Sequence, residues 1–260
     1  MEIKFIDCEY KDKMISLSFS SSKIYGITGK NAIDLLPMLS LKEPNKGQIV
    51  INGEKTTKEN INESKKKVAT LTELNSTYQC IYNIMIEFIQ RNNLVIKDPL
   101  KKIKDSLKIV ELDESILNKN LYELSTSEKK LLLFAINLLS NPEIIIIEEP
   151  FKGLDKQNEK KLIMILQRLR EQFKKTIIIV SDDSNILYKY TNEMIFMKNA
   201  EVLLVGRTDE VYLRVDYLKK NKIEIPEIVE FTYIAKKEKD VKIDYHKDVR
   251  DIIKDIYKHI

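Results

Sequence analysis

Two adjacent carboxylates, Glu148 and Glu149, carry the strongest chemical signal in the sequence. They follow the isoleucine run Ile144–Ile147, and the lack of polar alternation there predicts a strand buried on both faces of a parallel sheet. Acids directly after such a strand lie at the carboxyl edge of the sheet, where open α/β sheets bind ligands. One carboxylate can hold the water shell of a metal ion while the other polarises an attacking water. The alternative is an ordinary strand end with two solvated acids.

The stretch KIYGITGKNAIDLLPMLS, Lys23–Ser40, begins like a phosphate-binding strand, loop and helix. Such a loop needs the spacing G-x4-G-K-[ST], because several successive backbone N–H groups must turn inward around the phosphates. If Gly26 opens the loop, Asn31 stands where the closing glycine belongs. If Gly29 and Lys30 close it, no glycine stands at the opening position, and Asn31 replaces the hydroxyl that ligates magnesium. Neither register completes a phosphate cradle.

Length and composition bound the class of protein. The 260 residues allow one large domain or one domain with an appendage, and 43% hydrophobic residues suffice for a substantial core. The longest apolar run, Leu131–Leu139, is about half the roughly 18–20 residues that span a bilayer. The chain does not start with the basic and apolar regions of a signal peptide. Cys8 and Cys80 are too few and too far apart for a metal site or a disulfide framework. We therefore expect a cytosolic protein, and we assign no metal ligand.

The charge of the chain bears on nucleic acid as a partner. The net charge of +4 arises from 44 basic and 40 acidic residues that are interspersed along the sequence. A basic patch attracts nucleic acid, but an interspersed distribution is typical of solvated helix faces. We expect no nucleic-acid partner.

Apolar periodicity predicts a β-rich start followed by a helical insert. Four strands are expected within the first 55 residues, with a short helix over 32–41 between the third and the fourth. Another strand is expected in Lys66–Glu73, and a helical pattern extends over 81–139. Within it, Ser125 is followed three residues later by Glu128, which predicts a capping box at a helix start.

The second half of the chain predicts an α/β core and a helical tail. The isoleucine strand, a helix and a second buried strand in Thr176–Asp183 form a strand–helix–strand unit with parallel strands. A hairpin that turns near Lys198–Ala200 follows. From about Thr208 the chain is lysine-rich and helical, with Pro226 between two helix candidates and a final amphipathic helix.

Four sequence blocks, taken in order, resemble the ATP-binding cassette (ABC) family. They are LSTSEKK at Leu124–Lys130, the isoleucine strand ending in EEP, GLD shortly after it, and IIIVSDD further on. In that family the blocks correspond to the signature loop, the Walker B strand, the D-loop and the switch residue. The resemblance covers about residues 1–205. It implies an α/β, ABC-type P-loop NTPase fold with an N-terminal antiparallel β-subdomain, a parallel-sheet RecA-like core and a helical subdomain at about 78–140.

The tail resembles the C-terminal extension of the ATPase subunits of energy-coupling factor transporters. Val205–Val211 and Ile223–Val229 carry this match. The two resemblances together imply an ABC-type nucleotide-binding domain over 1–205 and a C-terminal helical extension over 206–260. In that transporter family the extension joins two ATPase subunits beside the main nucleotide interface. The alternative is a helical appendage that packs on its own domain.

The ABC resemblance assigns roles to single residues. Glu148 takes the Walker B position, where the family has aspartate, and Glu149 takes the position of the catalytic glutamate. Asp155 belongs to the D-loop. Asp182 stands in place of the switch histidine, and an ionised carboxylate cannot donate a hydrogen bond to a γ-phosphate. Glu73 falls at or next to the Q-loop glutamine.

The resemblance also identifies departures in the loops that contact phosphate. Ser125 persists in the signature loop, whereas Thr126 and Ser127 replace its paired glycines and crowd the approach of a phosphate. Tyr10 is a candidate for stacking on adenine, and a strand tyrosine without that role explains it equally well.

The Walker A region is shortened as well as altered. It comprises Gly26, Gly29, Lys30 and Asn31, and the segment is about four residues shorter than the family pattern, so the centre of the loop is missing. Lys30 then corresponds to a variable position before the phosphate lysine. We expect no nest of amides, no well-placed cation and no magnesium hydroxyl.

These features together predict a transporter subunit with a degenerate nucleotide site. The resemblance implies an ATP-binding-cassette subunit of a membrane transporter, of the energy-coupling factor type, with little or no ATPase activity of its own. Implied partners are a second ABC ATPase subunit, in a heterodimer, and a transmembrane coupling subunit at the inner face of the membrane. MgATP is the cofactor of the family, and here we expect weak or no binding. The alternatives are a divergent but active transport ATPase and a non-transport interaction module on an ABC scaffold.

Overall fold

The structure is a computed structural model that describes residues 1–41, 46–57, 59–71, 79–239 and 243–258. Its strands are β1 (Ile3–Tyr10), β2 (Lys13–Phe19), β3 (Ile24–Gly29), β4 (Gln48–Ile51), β5 (Glu54–Lys55), β6 (Val68–Leu71), β7 (Ile144–Glu148), β8 (Thr176–Val180), β9 (Glu193–Lys198) and β10 (Glu201–Arg207). Its α-helices are α1 (Leu36–Leu39), α2 (Ile61–Lys65), α3 (Ile81–Arg91), α4 (Pro99–Ile109), α5 (Thr126–Leu138), α6 (Lys156–Glu171), α7 (Ser184–Tyr190), α8 (Thr208–Tyr212), α9 (Val215–Lys220), α10 (Glu227–Lys239) and α11 (Val249–Lys258). The strands and helices that the sequence predicts appear in the predicted order, and β5 and α2 are two short additions that it did not predict.

The strands form two sheets. The first is antiparallel, with the order β2-β1-β4-β5. The second has the order β10-β9-β3-β8-β7-β6, and its strands from β9 to β6 are parallel while β10 joins the edge as the antiparallel arm of a hairpin. The parallel pairing of β7 with β8 confirms the predicted strand–helix–strand unit.

The isoleucines of β7 divide between two cores on opposite faces of the parallel sheet. Ile144 and Ile146 pack into a core shared with the antiparallel sheet and with the helical turn after β3. Ile145 and Ile147 pack into a second core formed with the helices. All four side chains are buried because both faces of the sheet are covered. Because β7 is buried on both faces, its position in the sheet fixes the positions of Glu148 at its end and of Glu149 directly after it.

Helices α3, α4 and α5 form the predicted helical insert. The side chain of Asp98 caps α4 by accepting the backbone N–H of Lys101 at 3.0 Å. Ser125 caps α5 in a capping box with Glu128, as predicted. In the part of the chain that the structure describes, no helix is long and apolar enough to cross a membrane.

The first part of the C-terminal helical region packs against the helix side of the parallel sheet. Tyr212 is fully buried between the rings of Tyr188 and Phe196, each edge-to-face at a centroid distance of 5.3 Å. The hydroxyls of Thr191 and Thr208 are 2.8 Å apart and buried. At least this part of the region therefore packs on its own chain. The sequence left this arrangement open as the alternative to a contact with a second subunit.

The last helix, α11, is held by polar contacts around Asp255. The Nε2 atom of His246 lies 2.6 Å from the Asp255 carboxylate. The backbone N–H of Asp244 donates to the same carboxylate at 3.3 Å, and Lys258 pairs with it at 3.3 Å. These groups, with the His246 hydrogen bond first among them, lower the pKa of Asp255 to about 2. On the inner face of α11, Ile252 is buried.

Substitutions of Tyr212 should separate the contribution of its ring from that of its hydroxyl. The hydroxyl is buried and has no hydrogen-bond partner among the described residues. We expect Tyr212→Phe to change the free energy of unfolding by less than about 1 kcal/mol, because it removes a polar atom that is buried without a partner. Tyr212→Ala should cost about 3–5 kcal/mol through lost contacts and a cavity. Urea unfolding measures both, and a large loss in the phenylalanine variant would reveal a partner for the hydroxyl.

Asp255 should make stability depend on pH in the acid range. Its pKa of about 2 in the folded protein lies below the value of about 3.9 in an unfolded chain, so folding favours the carboxylate. The stabilisation is present above about pH 4 and is lost as the pH falls towards about 2. We expect Asp255→Asn to lower the melting temperature near neutral pH, and the difference from the wild type to shrink below about pH 4.

Asp251→Asn, at a half-exposed position of the same helix, is the matched control. A difference that stays constant down to about pH 2.5 would contradict the assignment.

Candidate functional site

The carboxyl ends of β3, β7, β8 and β9 open onto one cleft of about 630 Å³. It brings together half of the twelve residues predicted to form the site: Gly29, Lys30, Asn31, Glu148, Glu149 and Asp182. Four other candidates, Tyr10, Gly26, Ser125 and Asp155, do not line it. The same holds for Ser127, which belongs to the first turn of α5. Glu73 lies outside the described residues.

A turn of two residues, Lys30 and Asn31, connects β3 to the helical turn that begins at Ala32. Gly29 ends the strand with a φ of +105°, and a Cβ atom there would lie 2.1 Å from the backbone oxygen of Met197 on β9. Asn31 has a left-handed backbone with a φ of 76°. The backbone of the neighbouring strand therefore occupies the space beside Gly29, and the chain reverses direction immediately after it.

Side chains from β1 and from the turn between β1 and β2 hold the turn of Lys30 and Asn31 in place. The hydroxyl of Tyr10 donates to the backbone oxygen of Asn31 at 2.6 Å. The Asn31 amide donates to Asp34 at 3.0 Å, and Lys11 forms an ion pair with the same carboxylate. Hydrogen bonds from Lys11 and then Asn31 lower the pKa of Asp34. Burial raises the pKa of Tyr10 to about 12. The buried, hydrogen-bonded position of Tyr10 supports its interpretation as a strand tyrosine rather than an adenine platform.

Gly26 lies inside β3 rather than in the turn. A Cβ atom at this position would be 2.4 Å from the sulfur of Met194 and 3.0 Å from side-chain atoms of Leu187 and Thr191. The glycine thus allows α7 and β9 to pack closely against the strand.

The Glu149 carboxylate is hydrogen-bonded to the end of β8. The Ser181 hydroxyl donates to Oε2 at 2.9 Å, and the backbone N–H of Asp182 donates to Oε1 at 2.9 Å. The backbone of Glu149 has a φ of +40°, and its N–H donates to Val180 at 2.9 Å. Glu148, in contrast, is exposed at the end of β7. Both oxygens of Glu149 therefore already accept hydrogen bonds from the chain itself.

Asp182 lies at the mouth of the cleft and is exposed. The Thr28 hydroxyl lies 3.4 Å from its carboxylate, which makes a long hydrogen bond. The charged residues that line the cleft are Lys30, Lys198, Lys222, Glu148, Glu149, Asp182 and Glu224. With four acids against three lysines, the cleft has a formal excess of one negative charge. Among the described residues, no group of three or more histidine, cysteine, aspartate or glutamate side chains is arranged to hold a metal ion.

The signature and D-loop candidates act as helix caps in this structure. The Ser125 hydroxyl accepts the N–H of Glu128 at 3.2 Å and donates to the Glu128 carboxylate at 2.7 Å. This hydrogen bond is the first cause of the lowered pKa of Glu128. Asp155 caps α6 by accepting the N–H groups of Gln157 and Asn158, both at 2.9 Å.

Sequence reasoning missed several residues that line the cleft, among them Ser181, Lys198 and the loop 221–224. The loop 221–224 of the C-terminal region lines the cleft, and Lys198 donates to the Asn221 side chain at 3.3 Å. No local signal in the sequence indicates this contact, because the loop is remote along the chain. Sequence reasoning also missed Lys130, which does not line the cleft but whose Nζ atom donates to backbone oxygens of the turn after β7. Its position one helical turn before the buried Phe134 was a usable signal, because a lysine on the apolar side of a helix needs internal acceptors.

The model of the family described as ABC transporter matches residues 13–152, which is more than half of the chain. The chain belongs to the ABC transporter family. The match includes the whole strand–turn–helix segment after β3 as well as the β7 acids. The matched residues therefore include several of those that line the cleft.

Individual relatives agree with this family. The energy-coupling factor transporter ATP-binding protein EcfA2 of Acetivibrio thermocellus is 27% identical over 233 residues, which cover 87% of this cassette and 82% of that protein. The solved structure of cbiO1 from Clostridium perfringens, part of the ABC transporter complex cbiONQ, matches with a TM-score of 0.72 at 21% identity, covering 89% and 98% of the two chains. The dimeric ATP-binding cassette MJ0796, solved with ADP and Pi, matches with a TM-score of 0.66 at 20% identity, covering 79% and 98%. The ABC ATPase fold is confirmed.

The cleft of this cassette does not fit MgATP in the manner of the Walker A pattern. The pattern needs a loop of about eight residues with successive inward N–H groups, whereas two residues follow Gly29 before the helical turn. Tyr10 caps the carbonyl of Asn31, and the Met197 oxygen fills the space beside Gly29.

Alanine substitutions at two glycines should test how tightly the turn is packed. Gly29→Ala places a Cβ atom 2.1 Å from a backbone oxygen, and relief requires a shift of β3 against β9, so we expect a loss of about 3 kcal/mol or more. Gly53→Ala is the matched control, because Gly53 has a similar φ of +86° but no atom within 4 Å of the added carbon. It should cost about 1–2 kcal/mol from backbone strain. Chemical unfolding compares the two, and equal losses would show that β9 yields to the new methyl group.

Proposed function

We propose that this chain is the ATPase-type subunit of an energy-coupling factor importer, that it does not turn over ATP in its own cleft, and that it acts by pairing with a competent cassette. The observation that carries the proposal is the two-residue turn after β3, because it leaves no loop of backbone amides to surround phosphates. The family relationship indicates a transporter subunit, and the short turn is where this chain differs from the Walker A pattern of that family.

The relationship to energy-coupling factor proteins supports the type of subunit. A relative named as the ATP-binding protein of such a transporter aligns over 87% of this chain. We infer an organisation with a cassette domain over 1–205, a helical subdomain at about 78–140 and a C-terminal extension over 206–260. In this organisation the chain binds a transmembrane coupling subunit at the inner face of the membrane.

The chemistry of phosphoryl transfer argues against turnover in this cleft. Catalysis there depends almost entirely on positioning and electrostatic stabilisation of the phosphates. Asn31 offers no magnesium hydroxyl, and Asp182 offers a negative charge where the family has a donor. Glu149 keeps the position of the general base, but both of its oxygens accept hydrogen bonds from Ser181 and Asp182. A single retained base cannot replace the missing cradle.

Pairing with a second cassette gives the chain a role despite this loss. In the family, composite sites lie between two cassettes, and the similar cassette MJ0796 was solved as a dimer. Ser125 at the start of α5 can then face ATP that is held by the partner's phosphate loop. Two copies of this chain would leave both composite sites without such a loop, so we favour a heterodimer.

A divergent but active ATPase is the second candidate. It is favoured by one observation, since Lys30, Glu148 and Glu149 line the same cleft. In that case Lys30 would replace the usual phosphate lysine from an unusual position.

Nucleotide binding by the purified chain distinguishes the two candidates. We expect no calorimetric binding of MgATP at about 1 mM and no phosphate release above background, because the cleft lacks the phosphate cradle that sets affinities in this range. Glu149→Gln should change neither result. In a complex with a competent cassette, Glu149→Gln should leave ATPase activity nearly unchanged, whereas the same substitution in the partner should abolish it.

The contrary results are equally definite. Tight MgATP binding by the isolated chain, or turnover that disappears in Glu149→Gln, would refute the proposal and favour the active ATPase. Lys30→Met is the matched control for that case, since it should abolish binding if Lys30 holds phosphate and should have no effect otherwise.

A further inference from the structure

Lys130 joins the helical insert to the turn that follows β7. Its Nζ atom donates to three backbone oxygens of this turn, those of Glu149 at 3.2 Å, Pro150 at 2.9 Å and Lys152 at 2.6 Å. A lysine ammonium has three N–H donors and no acceptor, so each donor is used. The side chain is partly buried, and this burial lowers the pKa of Lys130. Three convergent carbonyls are an unusual environment for a surface lysine and require a structural reason.

The end of β8 and a buried aromatic ring hold the same turn from the other side. The Glu149 carboxylate accepts from the Ser181 hydroxyl and from the N–H of Asp182, both at 2.9 Å. Phe151 is buried and packs on the ring of Tyr190. These contacts come from the chain itself and do not require a nucleotide.

The turn and α5 both belong to the surface that would face a second cassette. The turn continues through Gly153 to Asp155, the D-loop position, and then into α6. Helix α5 starts directly after Ser125, the signature position, and carries Lys130 five residues further on. Lys130 is therefore a direct polar link between the signature helix and the D-loop segment.

We propose that Lys130 is a positioning residue that locks the turn 149–155 to α5, so that the chain presents signature and D-loop segments to its partner as one rigid surface without a nucleotide. The inference rests on the proposed function, in which the cleft of this chain holds no MgATP. A subunit with an empty cleft needs such a lock, because no bound ligand can order the turn. The partner's ATP would then meet a surface that is already in place.

Trypsin cleavage after Lys152 measures the lock directly, because Lys130 binds the oxygen of the scissile peptide bond. The full-length chain is treated briefly with trypsin, and the fragment ending at Lys152 is quantified by mass spectrometry against cleavage at other lysines. Lys130→Met keeps the length of the side chain and removes its donors. Lys130→Arg keeps charge and donors, and Lys129→Met is the matched control on the same helix.

We expect Lys130→Met to accelerate cleavage after Lys152 by about tenfold or more relative to other sites, since it removes three hydrogen bonds that keep the turn closed. Lys130→Arg should restore the rate to within about threefold of the wild type, and Lys129→Met should not change it. Equal cleavage in wild type and Lys130→Met would overturn the proposal, as would an arginine variant that is cleaved as fast as the methionine variant. If Lys130→Met is cleaved at all sites because it unfolds, the same comparison is made with Lys130→Gln.

Addition of MgATP separates this proposal from the proposed function. We expect the cleavage rates of wild type and variants to be unchanged by it. Slower cleavage of the wild type with MgATP would show that the cleft binds nucleotide and would refute the proposed function. It would also show that nucleotide helps to order the turn. The comparison of wild type with Lys130→Met in the absence of nucleotide still decides by itself whether Lys130 locks the turn.

Discussion

The parallel pairing of β3 between β8 and β9 is the constraint on which the rest of the structure depends. The strands are buried on both faces, and full burial of one isoleucine side chain contributes about 1.5–3 kcal/mol. A shift of one residue would turn every side chain of a strand to the opposite core, so the register is strongly determined. The fixed register brings the ends of β3, β7 and β8 to one edge and sets Gly29 against the backbone oxygen of Met197. The cleft, its short turn and its acids all follow from this arrangement.

Two acceptors at the cleft, the Glu149 carboxylate and the Asn31 carbonyl, are paired within the chain itself. Glu149 accepts from Ser181 and Asp182, and the carbonyl of Asn31 accepts from Tyr10. Catalytic sites hold donors and acceptors ready for the charge that develops in a transition state. Here these two acceptors are already hydrogen-bonded by the chain, which stabilises the turn after β3 and the end of β7. This internal pairing agrees with the proposed function, in which a partner cassette performs the chemistry.

The C-terminal region packs on the rest of the chain and contributes to the cleft. Tyr212 completes the core on the helix side of the sheet, and the loop 221–224 forms one wall of the cleft. Any movement of this region would therefore alter the shape of the cleft, because both depend on the same packing. The contact between His246 and Asp255 joins the last helix to the segment that precedes it.

The sequence alone was enough to predict most of the strands and helices, their order and the short spacing after β3. These features are local: the isoleucine run of β7, the Ser125 capping box and the spacing around Gly29 are written in neighbouring residues. Even the place of the β7 acids at a ligand-binding edge follows from strand direction. The tertiary structure alone decided that Tyr10 holds Asn31, that Lys130 holds the turn after β7, and that the loop 221–224 enters the cleft. The partners in these contacts are separated by many residues, and their approach depends on how sheets and helices pack, which leaves no periodic or local signature in the sequence.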